Sequence, residues 1–246
     1  MPDFFDFLGQ VQGPGVTDTP DYFRRYTPHN IRKMNWRYRH IVQPIKDELD
    51  GATVLDLGSH DGRWPYALAA AGATVTGIEG RGDLIEQFSR FPEDEARSRV
   101  SLVEGDFIAE MDRLLAEGSR FDVVTCLGVF YHTIQHYRIL MQMVAFRPKI
   151  IVVDSVFHLA NRAMIGVASE NTTSHLNSIA QTEGQTEAPI GRISRSAFEL
   201  MVDTLGYRVE WNDWQVPEEE RTAVMSYFNH PRNKHLRRFT CFLRPA

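Results

Sequence analysis

The sequence predicts an α/β fold: a mostly parallel, doubly wound sheet with helices on both faces. Three observations carry that expectation. Short, nearly continuous apolar runs recur through residues 53–153, as strands buried on both faces require. A segment with helical apolar spacing follows each run before the next begins. The first run passes into its helix through a glycine turn, Gly58-Ser59-His60-Asp61-Gly62. Strands alternating with helices give right-handed crossovers and parallel neighbours.

Residues 1–20 contain Gly13, Pro14, Gly15 and Pro20 and read as an irregular arm, with Phe4, Phe5, Phe7 and Leu8 able to dock on the body. Asn30 caps a helix running to about Val42. Pro44 ends it or starts a short turn to Leu49, and Gly51 closes that segment. Five strands are expected at Thr53–Leu57, Thr74–Ile78, Val100–Val103, Phe121–Leu127 and Lys149–Val153. The helices between them are expected at Arg63–Ala71, Asp83–Arg90 (stopped before Pro92), Ile108–Ala116 and Thr133–Phe146. After Asp154 the pattern breaks. Residues 157–193 are polar and read as a long loop, which in a compact domain serves as a lid or a binding element or stays disordered. Ser194 or Ser196 caps a further helix to Leu205, and Tyr207–Trp211 and Arg238–Leu243 form a final antiparallel pair. Residues 222–228 add a turn or two. The expected organisation is an N-terminal arm and cap over 1–50 and one domain over 51–246, with a lid at 157–193.

Composition narrows the class. The chain has 246 residues, 43% hydrophobic and 24% charged, which excludes a wholly disordered or fibrous chain. No apolar run approaches the roughly 20 residues that span a bilayer, and Met1 to Gln10 show no secretory signal. Cys126 and Cys241 do not make a disulfide framework. A cytoplasmic, membrane-free protein is expected. With 27 Lys+Arg and 32 Asp+Glu the net charge is −5, which does not favour a general polyanion binder. Two segments are exceptions: Tyr22–Lys46 holds seven Lys/Arg and Pro231–Ala246 five, and neither holds an acid.

The glycine turn sits where open α/β sheets bind ligands, at a strand's carboxyl end. A dinucleotide fingerprint starting at Gly58 meets His60 and Arg63 at its other glycine positions, and Gly-Lys-Ser/Thr is absent. What remains is a nucleoside ligand without phosphates. Asp56 before the turn suits an ammonium group. Glu79, followed by Gly80 at the end of strand two, suits the two hydroxyls of a ribose. Asp106 after strand three suits an exocyclic amine, with Phe107 on the ring face.

At these residues the sequence resembles the class I S-adenosylmethionine-dependent methyltransferases. The ordered match runs Asp56-Leu57-Gly58 with Gly62, then Glu79, then Asp106, then Phe121-Asp122-Val123-Val124, across about residues 52–155. The resemblance implies a seven-stranded sheet of order 3-2-1-4-5-7-6 with strand seven antiparallel. It also implies S-adenosyl-L-methionine as cofactor and S-adenosyl-L-homocysteine as product. The cofactor residues would be Asp56, Gly58, Ser59, His60, Gly62, Glu79, Gly80, Asp106, Phe107 and Leu127. His60 stands where the family often has a third glycine.

Methyl transfer needs alignment and often a base. The loop after strand four, Gly128-Val129-Phe130-Tyr131-His132, offers His132 as candidate base and Tyr131 to position the acceptor. It also looks like the corresponding loop of the tRNA wobble-uridine carboxymethyl-transfer subfamily. The acceptor site is expected among the N-terminal helix, the 157–193 loop and residues 212–236, with Trp36, Arg37, Tyr131 and His158 as substrate contacts and Trp211 and Trp214 nearby. His132 and His136 share a helix face and Asp154 and His158 follow strand five, but no paired-acid motif accompanies them, so no metal is assigned. The expected acceptor is a small molecule with an anionic or aromatic group, with methylation on oxygen favoured over nitrogen or carbon. An RNA-modifying enzyme using the two basic segments is the alternative, and a non-catalytic nucleoside-binding scaffold the second.

Overall fold

The computed structural model describes residues 3–11, 26–230 and 233–246. Gly13, Pro14, Gly15 and Pro20 of the arm, Arg24 and Arg25 of the first basic segment, and Pro231 and Arg232 of the second lie outside the described residues.

Strands β1 (Thr53–Leu57), β2 (Thr74–Glu79), β3 (Val100–Glu104), β4 (Val123–Leu127) and β5 (Ile150–His158) are parallel. A separate antiparallel hairpin follows, β6 (Ile165–Asn171) with β7 (Glu187–Ile193). Strands β8 (Tyr207–Asn212) and β9 (Leu236–Pro245) complete the main sheet, with β9 antiparallel to both β5 and β8. The seven-stranded order is β3-β2-β1-β4-β5-β9-β8. It is the expected 3-2-1-4-5-7-6 once the hairpin strands are counted apart.

Around the sheet lie α1 (Pro28–Ile41), α2 (Arg63–Ala70), α3 (Phe107–Ala116), α4 (His136–Ala145) and α5 (Arg195–Asp203). One apolar cluster joins Phe5, Leu8, Met34 and Ile41 to Val54, Trp64 and Leu68; the other joins Leu55 and Val124 to Phe130, Leu140, Phe157 and Phe198. Burial on both faces is why the central strands β4 and β5 read as nearly continuous apolar runs.

Several expectations need correction. Thr27, not Asn30, caps α1: its Oγ1 accepts the Asn30 amide at 3.3 Å, and Pro28 takes the first helical position, where its missing N–H costs nothing. The helix after β4 begins at His136 rather than Thr133, because Phe130–His132 forms a separate 3₁₀ turn. Residues 218–228 form a 3₁₀ segment and a short helix, more than the expected turn or two. Strand β5 runs on to His158, and the expected loop 157–193 holds the hairpin. The hairpin escapes a period-two reading because its first strand is polar and its apolar positions do not alternate with burial: Val167 is 69% exposed. Among the described residues no helix is long and apolar enough to cross a membrane.

Candidate active site

A cavity of about 550 Å³ opens at the carboxyl ends of β1, β2 and β4, a volume typical of small-ligand sites. Its floor is the turn after β1. The amides of Gly58 and Ser59 both donate to the Ile78 carbonyl at 2.9 Å, tying the turn to β2. Gly58 has φ +67°, and a Cβ there would overlap the Val129 side chain. His60 also takes a left-handed conformation, φ +55°, which costs a non-glycine residue of order 1–3 kcal/mol. Its amide donates to Glu79 Oε2 at 2.8 Å and its Nδ1 lies 3.0 Å from Arg63 Nη2. These two contacts hold a histidine where a third glycine was the family's usual choice.

Glu79 is buried at the tip of β2, and its other oxygen accepts the Arg81 amide at 3.1 Å. Each carboxylate oxygen thus keeps one acceptor position free, which fits a pair of vicinal hydroxyls. Asp106 caps α3, with Oδ1 accepting from the amides of Ile108 and Ala109 at 3.0 Å each, while Oδ2 lies 3.4 Å from Gln181 Nε2. Gly58, His60, Glu79, Gly80, Asp106, Phe107 and Leu127 all line the cavity.

Asp56, Ser59 and Gly62 do not; they support the turn from behind. Asp56 is buried and accepts the Thr125 hydroxyl at 2.6 Å. Burial pushes its carboxyl up to about 7, against the hydrogen bonds of Thr125 and Ser59 and with the charge of Glu79. Ser59 donates to the Asp56 carbonyl, and a Cβ on Gly62 would strike Phe88. Asp61, unassigned by the sequence reading, anchors the turn's far side. It accepts from Tyr26 and Arg63, and although burial would raise its pKa, the Arg63 guanidinium and His60 hold it well below the usual carboxylate range.

At the other end of the cavity stand Tyr131 and His132. The His132 Nδ1 lies 2.5 Å from Glu170 Oε1, and its side chain is 14% exposed. Burial lowers the imidazole's pKa, Glu170 works to raise it, and Arg192 and Arg238 lower it further. Arg37 lines the cavity as expected, next to Arg238, which the sequence reading did not single out. Both converge on Asp154 Oδ1, Arg37 Nη2 at 2.8 Å and Arg238 Nε at 2.7 Å, while Asp154 Oδ2 accepts from Tyr227 and Thr240. Burial would raise the Asp154 pKa, but the two guanidiniums hold it at about 2. A Cβ on Gly128 would lie 2.8 Å from Arg238 Nη2, so glycine there leaves the guanidinium room beside β4.

Two expected substrate contacts lie elsewhere. Trp36 faces away from the cavity: it stacks on His40, lies under Arg39 and donates to Glu220. His158 lines a second groove with Asn161, Arg195, Glu199 and Arg237. Trp211 packs on Phe157 and Trp214 on Tyr227. None of the described residues in 212–236 lines the cavity, though Tyr227 contacts Arg37 and Asp154 beside it. His136 is buried against Phe130, and burial takes its pKa down to about 4. Among the described residues no group of three or more His, Cys, Asp or Glu is placed to hold a metal ion.

The cavity's roof comes from residues 175–189 of the segment read as a loop. Arg81, just past Glu79, donates through Nη2 to the carbonyls of Thr172, Ser174 and Ser178 at 3.0–3.2 Å. A Cβ on Gly80 would lie 2.8 Å from Ile179, so the roof descends close to the β2 tip.

A glycine turn after β1, an acid closing β2, an acid capping the helix after β3 and an antiparallel strand β9 inserted between β5 and β8 together give the layout of the Rossmann-like methyltransferase fold. Residues 54–146 match the family model described as a methyltransferase domain. The chain is 33% identical over 104 residues to a ubiquinone biosynthesis O-methyltransferase of Actinobacillus pleuropneumoniae serotype 5b, covering 38% of this chain and 43% of that one. It is 32% identical over 104 residues to a tRNA U34 carboxymethyltransferase of Alcanivorax borkumensis, covering 41% and 30%. The chain therefore spans less than half the length of these curated relatives. Among solved structures, the N-terminal domain of EvdMO1, crystallised in the presence of SAH and D-fucose, superposes with a TM-score of 0.63 at 17% identity, covering 100% of this chain and 98% of that domain.

Proposed function

We propose that the protein is an S-adenosylmethionine-dependent methyltransferase of a small-molecule acceptor that carries an anionic group, with oxygen as the favoured acceptor atom. The observation that carries this reading is the single cavity joining Glu79 and Asp106 at one end to His132, Arg37 and Arg238 at the other. When bound, S-adenosylmethionine supplies a methyl group on a sulfonium; the acceptor attacks that carbon and the C–S electron pair leaves on sulfur. Glu79 would hold the ribose hydroxyls, Asp106 the adenine amine, and Phe107 the ring face. His132 takes the acceptor's proton. Arg37 and Arg238 bring two positive charges to one carboxylate, Asp154, so the acceptor end carries an excess positive charge that an anionic substituent offsets.

The RNA reading has the tRNA-modifying relative behind it, but five of the twelve basic residues of the two segments are already paired with acids of the protein. Arg32 pairs with Glu220, Arg39 with Asp3, Arg244 with Glu48 and Glu210, and Arg37 and Arg238 with Asp154. Calorimetry with S-adenosylhomocysteine tests the cofactor half; saturable binding is expected, and its absence would remove the enzyme reading. Adding tRNA at low salt tests the alternative. Unchanged electrophoretic mobility is expected, whereas binding that weakens steeply with salt would favour RNA.

A further inference from the structure

We propose that Glu170 is the positioning residue that holds the His132 imidazole in the tautomer whose Nε2 faces the cavity as proton acceptor. For its chemistry this rests on the methyltransferase reading above.

Glu170 comes from β6, 38 residues from His132, and its Oε1 lies 2.5 Å from His132 Nδ1. The same oxygen accepts the Ser178 amide at 2.8 Å, and the Ser178 hydroxyl lies 2.8 Å away. An oxygen so surrounded by donors is that of an ionised carboxylate, which accepts and cannot donate. The proton of a neutral His132 therefore sits on Nδ1, and Nε2 is left with its lone pair. Nε2 has no hydrogen-bond partner among the described residues, and His132 lines the cavity. One ring nitrogen is thus fixed by an acid and the other is open, the arrangement of a base with an orienting carboxylate.

The other charges around the ring sharpen the role. Arg192 from β7 donates to the Tyr131 carbonyl and Arg238 from β9 sits over the Tyr131 ring, whose centroid is 4.1 Å from that of His132. Both cations oppose an imidazolium, and Glu170 alone among the facing groups favours it. As the acceptor's O–H or N–H bond breaks and its electron pair goes to the methyl carbon, the proton passes to Nε2. The charge formed on the ring is then met by Glu170. Ser178 belongs to the roof, and its hydroxyl also lies 2.6 Å from the His132 carbonyl. The roof therefore takes part directly in the hydrogen bonding around the base.

The test needs no acceptor. Long-range ¹H–¹⁵N correlation on the full-length chain, saturated with S-adenosylhomocysteine, reads the tautomer and titration of His132. The wild-type ring is expected as Nδ1–H when neutral. In Glu170→Gln the titration midpoint falls by about one pH unit and the tautomer preference is lost, while S-adenosylhomocysteine affinity is unchanged. Glu170→Asp keeps the charge and returns the midpoint toward wild type, a rescue that a merely structural role does not predict. A wild-type ring protonated on Nε2 overturns the proposal before any variant is made. A Glu170→Gln protein with wild-type tautomer and midpoint overturns it too, and if that variant does not fold, Glu170→Asp together with the wild-type tautomer decides. A wild-type chain that binds no S-adenosylhomocysteine removes the methyltransferase reading instead, and the same spectra taken without ligand still decide the tautomer.

Discussion

Asp106 has two roles that substitution can separate. Its Oδ1 caps α3 through the amides of Ile108 and Ala109, and its Oδ2 faces the cavity. Asparagine keeps the capping oxygen and loses the charge; alanine loses both. We expect Asp106→Asn to hold stability while weakening S-adenosylhomocysteine binding, and Asp106→Ala to lose about 1 kcal/mol of stability as well. Thermal melts with calorimetry on both variants check this. Glu79→Ala removes a charged acceptor of two hydroxyls, each such bond being worth about 1.5–3 kcal/mol. A rise in Kd of roughly 10²- to 10⁴-fold is expected, and unchanged affinity by calorimetry would remove Glu79 from the site. Both acids were legible in the sequence because each directly follows or closes an apolar run, so the strand's end fixes the position of its side chain. Glu170 and Arg238 were not. They reach the site by pairing across 38 and 84 residues, to His132 and Asp154, and no local pattern encodes such contacts. Trp36 failed the other way: an aromatic beside arginines suggested a stacking site, yet the same chemistry is met internally by Arg39 and His40.

At the scale of elements, β1, β4 and β5 could be read because both their faces are buried, so apolar residues recur in them without strict alternation. The hairpin β6–β7 could not. It stands apart from the main sheet, its first strand is largely exposed, and its second carries Pro189 among its paired residues. The segment between its strands is nevertheless held in place. Arg81 reaches three of its carbonyls, His175 pairs with Asp83 at 2.6 Å, and Gln181 approaches Asp106. Arg81 lies next to Glu79 in the chain and Gln181 next to Asp106 in space, so the roof is tied to that end of the cavity. Arg81→Met releases the central anchor while leaving its amide bond to Glu79 intact. The expected outcome is faster dissociation of S-adenosylhomocysteine, by roughly tenfold for the loss of one or two net hydrogen bonds, read by stopped-flow displacement. A dissociation rate equal to wild type would show that the roof does not gate the cofactor.

Over the whole molecule, the buried ionisable groups set opposing pH dependences. Burial raises Asp56 to about 7, so the folded state holds a proton that the unfolded state has released above pH 3.8. Asp56 therefore stabilises most below that value, and its contribution is lost as pH rises toward 7. The buried histidines act in the opposite sense. Burial lowers His136 to about 4, and burial with Arg39 lowers His40 to about 4, so the unfolded state binds protons that the folded state refuses below pH 6.5. Their contributions are present above 6.5 and are lost as pH falls toward 4. Asp154 is held at about 2 and titrates below this window. Between pH 5 and 6 the one acid and the histidines compete, and each proton is worth about 1.4 kcal/mol of unfolding free energy per pH unit. Asp56→Asn removes the opposing acid, so stability should rise with pH more steeply than in wild type by about one proton. His136→Leu removes one supporting proton and should flatten the rise by about as much. Urea unfolding at several pH values across that window reads both slopes, whatever the variants' absolute stabilities. A slope unchanged in Asp56→Asn would mean that Asp56 is ionised in the folded protein and held by Thr125 as a charge.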